Sequence, residues 1–155
     1  MPPRRQTTLL AGGDVALNRS KGRGAFGALT PIFQRAGVAF ANLELPLSDR
    51  GRAQPEKIIL RGSPRMVDGL TEAGFDLLAT ANNHILDYGN EALSDTLTLL
   101  DARGIPYAGA GPNIRAARRA AIIERGGLRI GLLAFCSVIP RDFSAGPGKP
   151  GLNPL

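Results

Sequence analysis

The most chemically suggestive run in this sequence is Asn82-Asn83-His84, with Asp87 three positions further on. Three polar side chains directly follow an apolar stretch, and no turn type demands that order. His84 is the only histidine of the chain, and an imidazole can take up or release a proton near neutral pH. Two more polar groups have the same setting: Asp14 after the apolar run 7–11, and Asn42 with Glu44 after the run 38–41. Carboxylates, amide oxygens and imidazole suit hard or borderline divalent cations such as Mn, Mg, Fe or Zn. A cation held there would polarise a phosphoryl or acyl oxygen and lower the pKa of a bound water, while His84 handled a proton. With a single cysteine, Cys136, a cysteine-pair zinc knuckle is excluded.

Each group also has a purely structural reading. Asp14 after Gly-Gly suits a turn or a helix cap, Asn42 and Glu44 could satisfy backbone groups beside Pro46, and Asp87 could cap the turn before Gly89. Cys136 lies in the apolar run Leu-Leu-Ala-Phe-Cys-Ser-Val and reads as a buried, inert thiol.

The elements that would position these residues alternate between apolar runs and helical patterns, which predicts βαβ connectivity in one α/β domain. Strands are expected at 7–11, closing on Gly12-Gly13-Asp14, then at 38–41, 75–80 and as a short strand at 107–111. Helices are expected at 27–36, from Ser63-Pro64 to Ala73, at 90–103 with Leu93, Leu97 and Leu100 on one face, and briefly at 113–119. Residues 57–60 form a short extended run, and 121–125 with 128–135 read as a hairpin around Gly126-Gly127. In open α/β sheets ligands collect beyond the carboxyl ends of the strands, where all three polar groups fall. Beyond Ile139 the Gly- and Pro-rich segment reads as loop, and the chain stopping within it suggests an incomplete domain.

The chain has 155 residues, 43% apolar and 21% charged, enough for one domain with a core. No stretch approaches the roughly eighteen apolar residues of a membrane-spanning helix. The basic start Met-Pro-Pro-Arg-Arg precedes no adequate apolar segment, so neither signal peptide nor anchor is expected and the default location is cytoplasmic. The net charge of +6 raises the possibility of nucleic-acid binding. Basic residues are nevertheless spread along the chain, in short groups such as Arg19/Lys21/Arg23, without interleaved aromatics for base stacking, which argues against it.

Gly13-Asp14, Asn42-Leu43-Glu44 and the run from Ala81 through Asn82-Asn83-His84 to Asp87-Tyr88-Gly89 together resemble the CapA-type poly-γ-glutamate or capsule synthesis family. Residues 104–111 and Ala116-Ala117-Arg118 extend the likeness over nearly the whole chain. The resemblance implies a metallophosphoesterase-like α/β/β/α sandwich, of which this chain would be the N-terminal portion of a single, C-terminally truncated domain. It implies Asp14, Glu44 and Asn83 as metal ligands, Glu44 standing where the wider superfamily has an Asp, and His84 as general acid. Asn42, Asn82 and Asp87 would support them. The sequence departs from the superfamily at Ala16, where a histidine ligand is expected, and has no histidine after His84, so the implied centre is partial here.

Two classes of function follow. One is metal-dependent hydrolysis of a phosphoester or related bond during synthesis of an anionic surface polymer, within a capsule synthesis complex. The other is a non-catalytic polymer-binding or scaffold component of such a complex.

Overall fold

A computed structural model describes residues 6–19, 21–55, 57–140 and 142–155. Its centre is a four-stranded parallel sheet of β1 (Leu9–Val15), β2 (Val38–Leu43), β3 (Leu77–Ala79) and β4 (Tyr107–Ala108), adjacent in chain order. Parallel neighbours require crossovers. These contain α1 (Thr30–Gln34, entered through a 3₁₀ turn at Gly27–Leu29), α2 (Met66–Ala73) and α3 (Gly89–Ala102).

Alternation along β2 divides the core. Ala39, Ala41 and Leu43 pack with Met66, Val67, Leu70 and Ala73 of α2 and with Phe33 and Leu100. Val38 packs on the opposite face with Leu77, Ala108 and Ala121, against partly buried Ile123, Ile130 and Leu132 of the hairpin β6 (Ala121–Arg125) and β7 (Leu128–Leu132). The layers are thus helices, parallel sheet and antiparallel hairpin, consistent with the metallophosphoesterase-like α/β fold expected. Leu93, Leu97 and Leu100 of α3 are all buried, as their spacing predicts. Gly74 ends α2 at φ 81°, a left-handed cap open to glycine without steric cost.

Three expectations need correction. β1 does not close on Gly12-Gly13-Asp14 but runs through it: Ala11 pairs with Phe40 and Asp14 with Asn42, so one extra residue bulges, with Gly13 at φ 69°. The run 107–111 is two strands, because Gly109 at φ 105° turns the chain between β4 and β5 (Ala110–Gly111). A Cβ at Gly109 would stand 2.6 Å from that of Ala81. The segment after Ile139 is not simply loop: β8 (Gly151–Leu152) pairs antiparallel with β5, and Phe143, Leu152 and Asn153 are buried. Its Gly and Pro residues conceal a strand whose partner is about forty residues away in the chain, out of reach of local pattern reading. Between β5 and β6, Asn113 caps the short α4 (Ile114–Ala117) by accepting from the Ala116 N–H at 3.0 Å.

Among the described residues no helix is long and apolar enough to cross a membrane.

Candidate functional site

The bulge in β1 sets Asp14 opposite Asn42 at the carboxyl end of the sheet. There the Asn42 amide joins two carboxylates: Nδ2 donates to Asp14 Oδ1 at 2.8 Å and to Glu44 Oε2 at 2.5 Å. Asn42 Oδ1 accepts from Asn82 Nδ2 at 3.0 Å, and the same Nδ2 donates to the Leu43 carbonyl at 2.8 Å. Asn82 Oδ1 accepts from the backbone N–H groups of His84 and Ile85 at 3.0 and 2.9 Å. Asn82 is therefore the buried strut that shapes the turn after β3.

That turn presents the other residues. His84 Nδ1 lies 2.7 Å from Asp87 Oδ2. Asp87 is fully buried and also accepts from the Leu60 N–H at 2.6 Å and from the Lys57 ammonium. With Asp87 Oδ2 as the acceptor, Nδ1 is the donor of the pair and Nε2 is the ring nitrogen available to a ligand. Lys57 also donates to the Asn83 carbonyl at 2.5 Å and stands over the Phe143 ring. Its loop is held by Leu47 N–H on Thr96 Oγ1 (2.8 Å), Ser48 Oγ on Asp95 Oδ2 (2.6 Å) and Gln54 N–H on the Asp87 carbonyl (2.8 Å).

The geometry separates the residues singled out from sequence. Asp14, Asn42, Glu44 and Asn82 form one hydrogen-bonded chain, with Asp14 on a strand and not at a turn or cap. Asp87 joins His84. The Asn83 side chain makes no hydrogen bond among the described residues. Lys57 escaped sequence reading: it opens an Ile-Ile-Leu run as an ordinary surface lysine would, and its partners lie 26 and 30 positions away. Cys136 is the buried thiol expected; it donates to the Val138 carbonyl at 3.2 Å, and burial pushes its pKa up.

The fit of these residues to a divalent cation can be judged from their electrostatics. Burial, and then the charge of Asp14, push the Glu44 carboxyl above its ordinary value, against the Asn42 hydrogen bond and His84. Two crowded carboxylates are of a chemical type suited to a hard cation. Among the described residues, however, no three His, Cys, Asp or Glu side chains gather closely enough to hold an ion.

The fold and this edge define a parallel α/β protein with two coupled carboxylates and an aspartate-held histidine beyond its strands. Residues 8–153 match the family described as "Bacterial capsule synthesis protein PGA_cap", and the chain belongs to that family. It is 31% identical, over 96% of its length, to the uncharacterized protein y4sH of Sinorhizobium fredii, covering 35% of that protein. It is 36% identical over 74% of its length to a probable polyglutamine synthesis accessory protein of Mycobacterium tuberculosis, covering 32% of it. To the PGA biosynthesis protein CapA of Bacillus subtilis it is 29% identical over 92% of its length, covering 40%. The chain spans about a third of the length of the curated relatives it matches first.

Proposed function

We propose that this chain carries the first part of a metal-dependent hydrolase site, of phosphoesterase type, acting in the synthesis or export of an anionic surface polymer. The observation that carries the reading is His84, its Nδ1–H held by a buried aspartate and its Nε2 left for a substrate. In that arrangement Asp87 orients the ring, and a protonated ring would hand its proton to a departing oxygen through Nε2. Lys57 balances the Asp87 charge and fixes the carboxylate, and Asn82 holds the turn that aims the ring.

Asp14, Glu44 and the Asn83 amide would hold a divalent cation, whose chemistry when bound is to polarise a phosphoryl oxygen and acidify water. The relatives named for PGA biosynthesis and polyglutamine synthesis support an acidic polymer, or a phosphoester met during its assembly, as substrate, within a capsule synthesis complex. The test is hydrolysis of p-nitrophenyl phosphate and its bis-ester by the full-length protein loaded in turn with Mn, Mg, Fe and Zn. His84→Ala is expected to lower kcat by about 100-fold or more with metal content unchanged. Metal-loaded protein that turns over no ester would end the enzymatic reading.

A second reading, a non-catalytic polymer-binding or scaffold component, is favoured by the lack of a three-ligand cluster among the described residues. It predicts that Asn83→Ala and His84→Ala leave complex assembly and polymer output intact.

A further inference from the structure

A cavity of about 370 Å³ opens between α3, the turn from β4 into β5, and α4, and it shares no lining residue with the candidate site. Its apolar lining is buried: Leu93 and Leu97, one turn apart on α3, with Ala110 of β5. Its charged lining is exposed and marks the open side: Asp101, one further turn along α3, and Arg119, just beyond α4. The Tyr107 hydroxyl lines the same space and donates to Asp101 Oδ2 at 3.4 Å. After burial, which raises the phenol's pKa most, Asp101 raises it further and Arg119 lowers it, so both ions stand within electrostatic reach of one hydroxyl.

The volume falls in the range of roughly 300–1,000 Å³ usual for small-molecule sites. The walls are preformed. A Cβ on Gly111 would stand 2.7 Å from the Ala117 nitrogen, so β5 and α4 are in close contact. The Ile114 N–H donates to the Gly146 carbonyl at 2.9 Å, and the Arg119 N–H donates to the Ala116 carbonyl at 3.1 Å, which fixes where the arginine leaves the backbone. Walls ordered in advance cost a ligand little entropy.

Among the described residues neither Asp101 nor Arg119 forms an ion pair, with each other or with any other group. An unpaired carboxylate and an unpaired guanidinium around one cavity match a ligand that carries both opposite charges, an ammonium for the first and a carboxylate for the second. The buried leucines then take an apolar side chain out of water. Among the described lining residues Arg119 is the one cation, so a second carboxylate, as on glutamate, would meet leucine or the Asp101 charge.

We propose that this cavity binds a free α-amino acid with an apolar side chain, its ammonium on Asp101, its carboxylate on Arg119 and its side chain over Leu93 and Leu97. The inference goes beyond the hydrolase reading and holds whether or not the protein turns over an ester.

The test is saturation-transfer NMR followed by titration calorimetry of the full-length protein with L-phenylalanine and L-leucine. Both are expected to bind at a single site. L-Glutamate, 2-phenylethylamine, which lacks the carboxylate, and 3-phenylpropionate, which lacks the amine, should each bind about tenfold or more weakly, because each leaves a charge without its partner. Asp101→Asn and Arg119→Gln should each lose about tenfold in affinity for L-phenylalanine. Thr98→Phe, which fills the open side, should abolish binding. Thermal melts of these variants should match wild type, because all three side chains are exposed. Absence of binding by both amino acids, glutamate or either single-charge analogue binding as tightly as L-phenylalanine, or wild-type affinity in both charge variants would each overturn the assignment.

Discussion

Lys57 and Asp87 form an ion pair beneath the candidate site, the carboxylate fully buried and the ammonium largely so. The same carboxylate holds His84, so one interaction serves both the fold and the orientation of the imidazole.

Removing the ammonium should therefore leave Asp87 buried with only His84 and one backbone N–H for partners. Lys57→Met is expected to destabilise the protein by roughly 2–4 kcal/mol, below the range for a wholly buried pair because Lys57 keeps some contact with water. Urea unfolding measures this, and a loss under about 1 kcal/mol would show that the pair contributes little.

Asn82→Ala removes four hydrogen bonds at once and leaves the His84 and Ile85 N–H groups without their acceptor. A loss of about 2–4 kcal/mol follows from several unmade bonds in a buried setting. Hydrogen exchange should show faster exchange of those two amides; unchanged protection there would contradict the strut.

Glu44 gives a pH-dependent expectation. Its folded-state pKa is raised above 4.5, so the folded chain holds the proton more tightly than the unfolded chain does. Ionising it costs stability, a cost absent below the unfolded value and complete above the folded one. Glu44→Gln should raise the melting temperature of metal-free protein at pH 7, and the gain should fade towards pH 4. Melts in EDTA at both pH values check this; a gain of equal size at both would exclude the titration as its cause.

Tyr107 offers a spectroscopic check away from the site. Burial, then the charge and hydrogen bond of Asp101, push its phenol up to about 12. Ultraviolet titration should show a late ionisation step near that pH, and Tyr107→Phe should abolish it. A late step that persists in the variant would belong to another group.

Much of this molecule is readable in its sequence because the signals are local. The spacing of Leu93, Leu97 and Leu100 specifies a helix face, Gly74 a helix end, and the continuous apolar run 38–41 a buried strand. The placing of Asp14, Asn42 and Asn82 after apolar runs puts them at one sheet edge, since parallel strands share a direction.

What tertiary structure alone decided is which of these groups touch. Asp14 meets Asn42 across 28 positions, Asn42 meets Asn82 across 40, and Lys57 meets Asp87 across 30. The β1 bulge, the division of 107–111 at Gly109 and the pairing of β8 with β5 are likewise settled between distant segments. Local propensity carries no information about such partners, because strand register and buried ion pairs depend on which surfaces the whole chain brings together. The sequence determined the elements and the chemical types at their ends; packing selected the contacts among them.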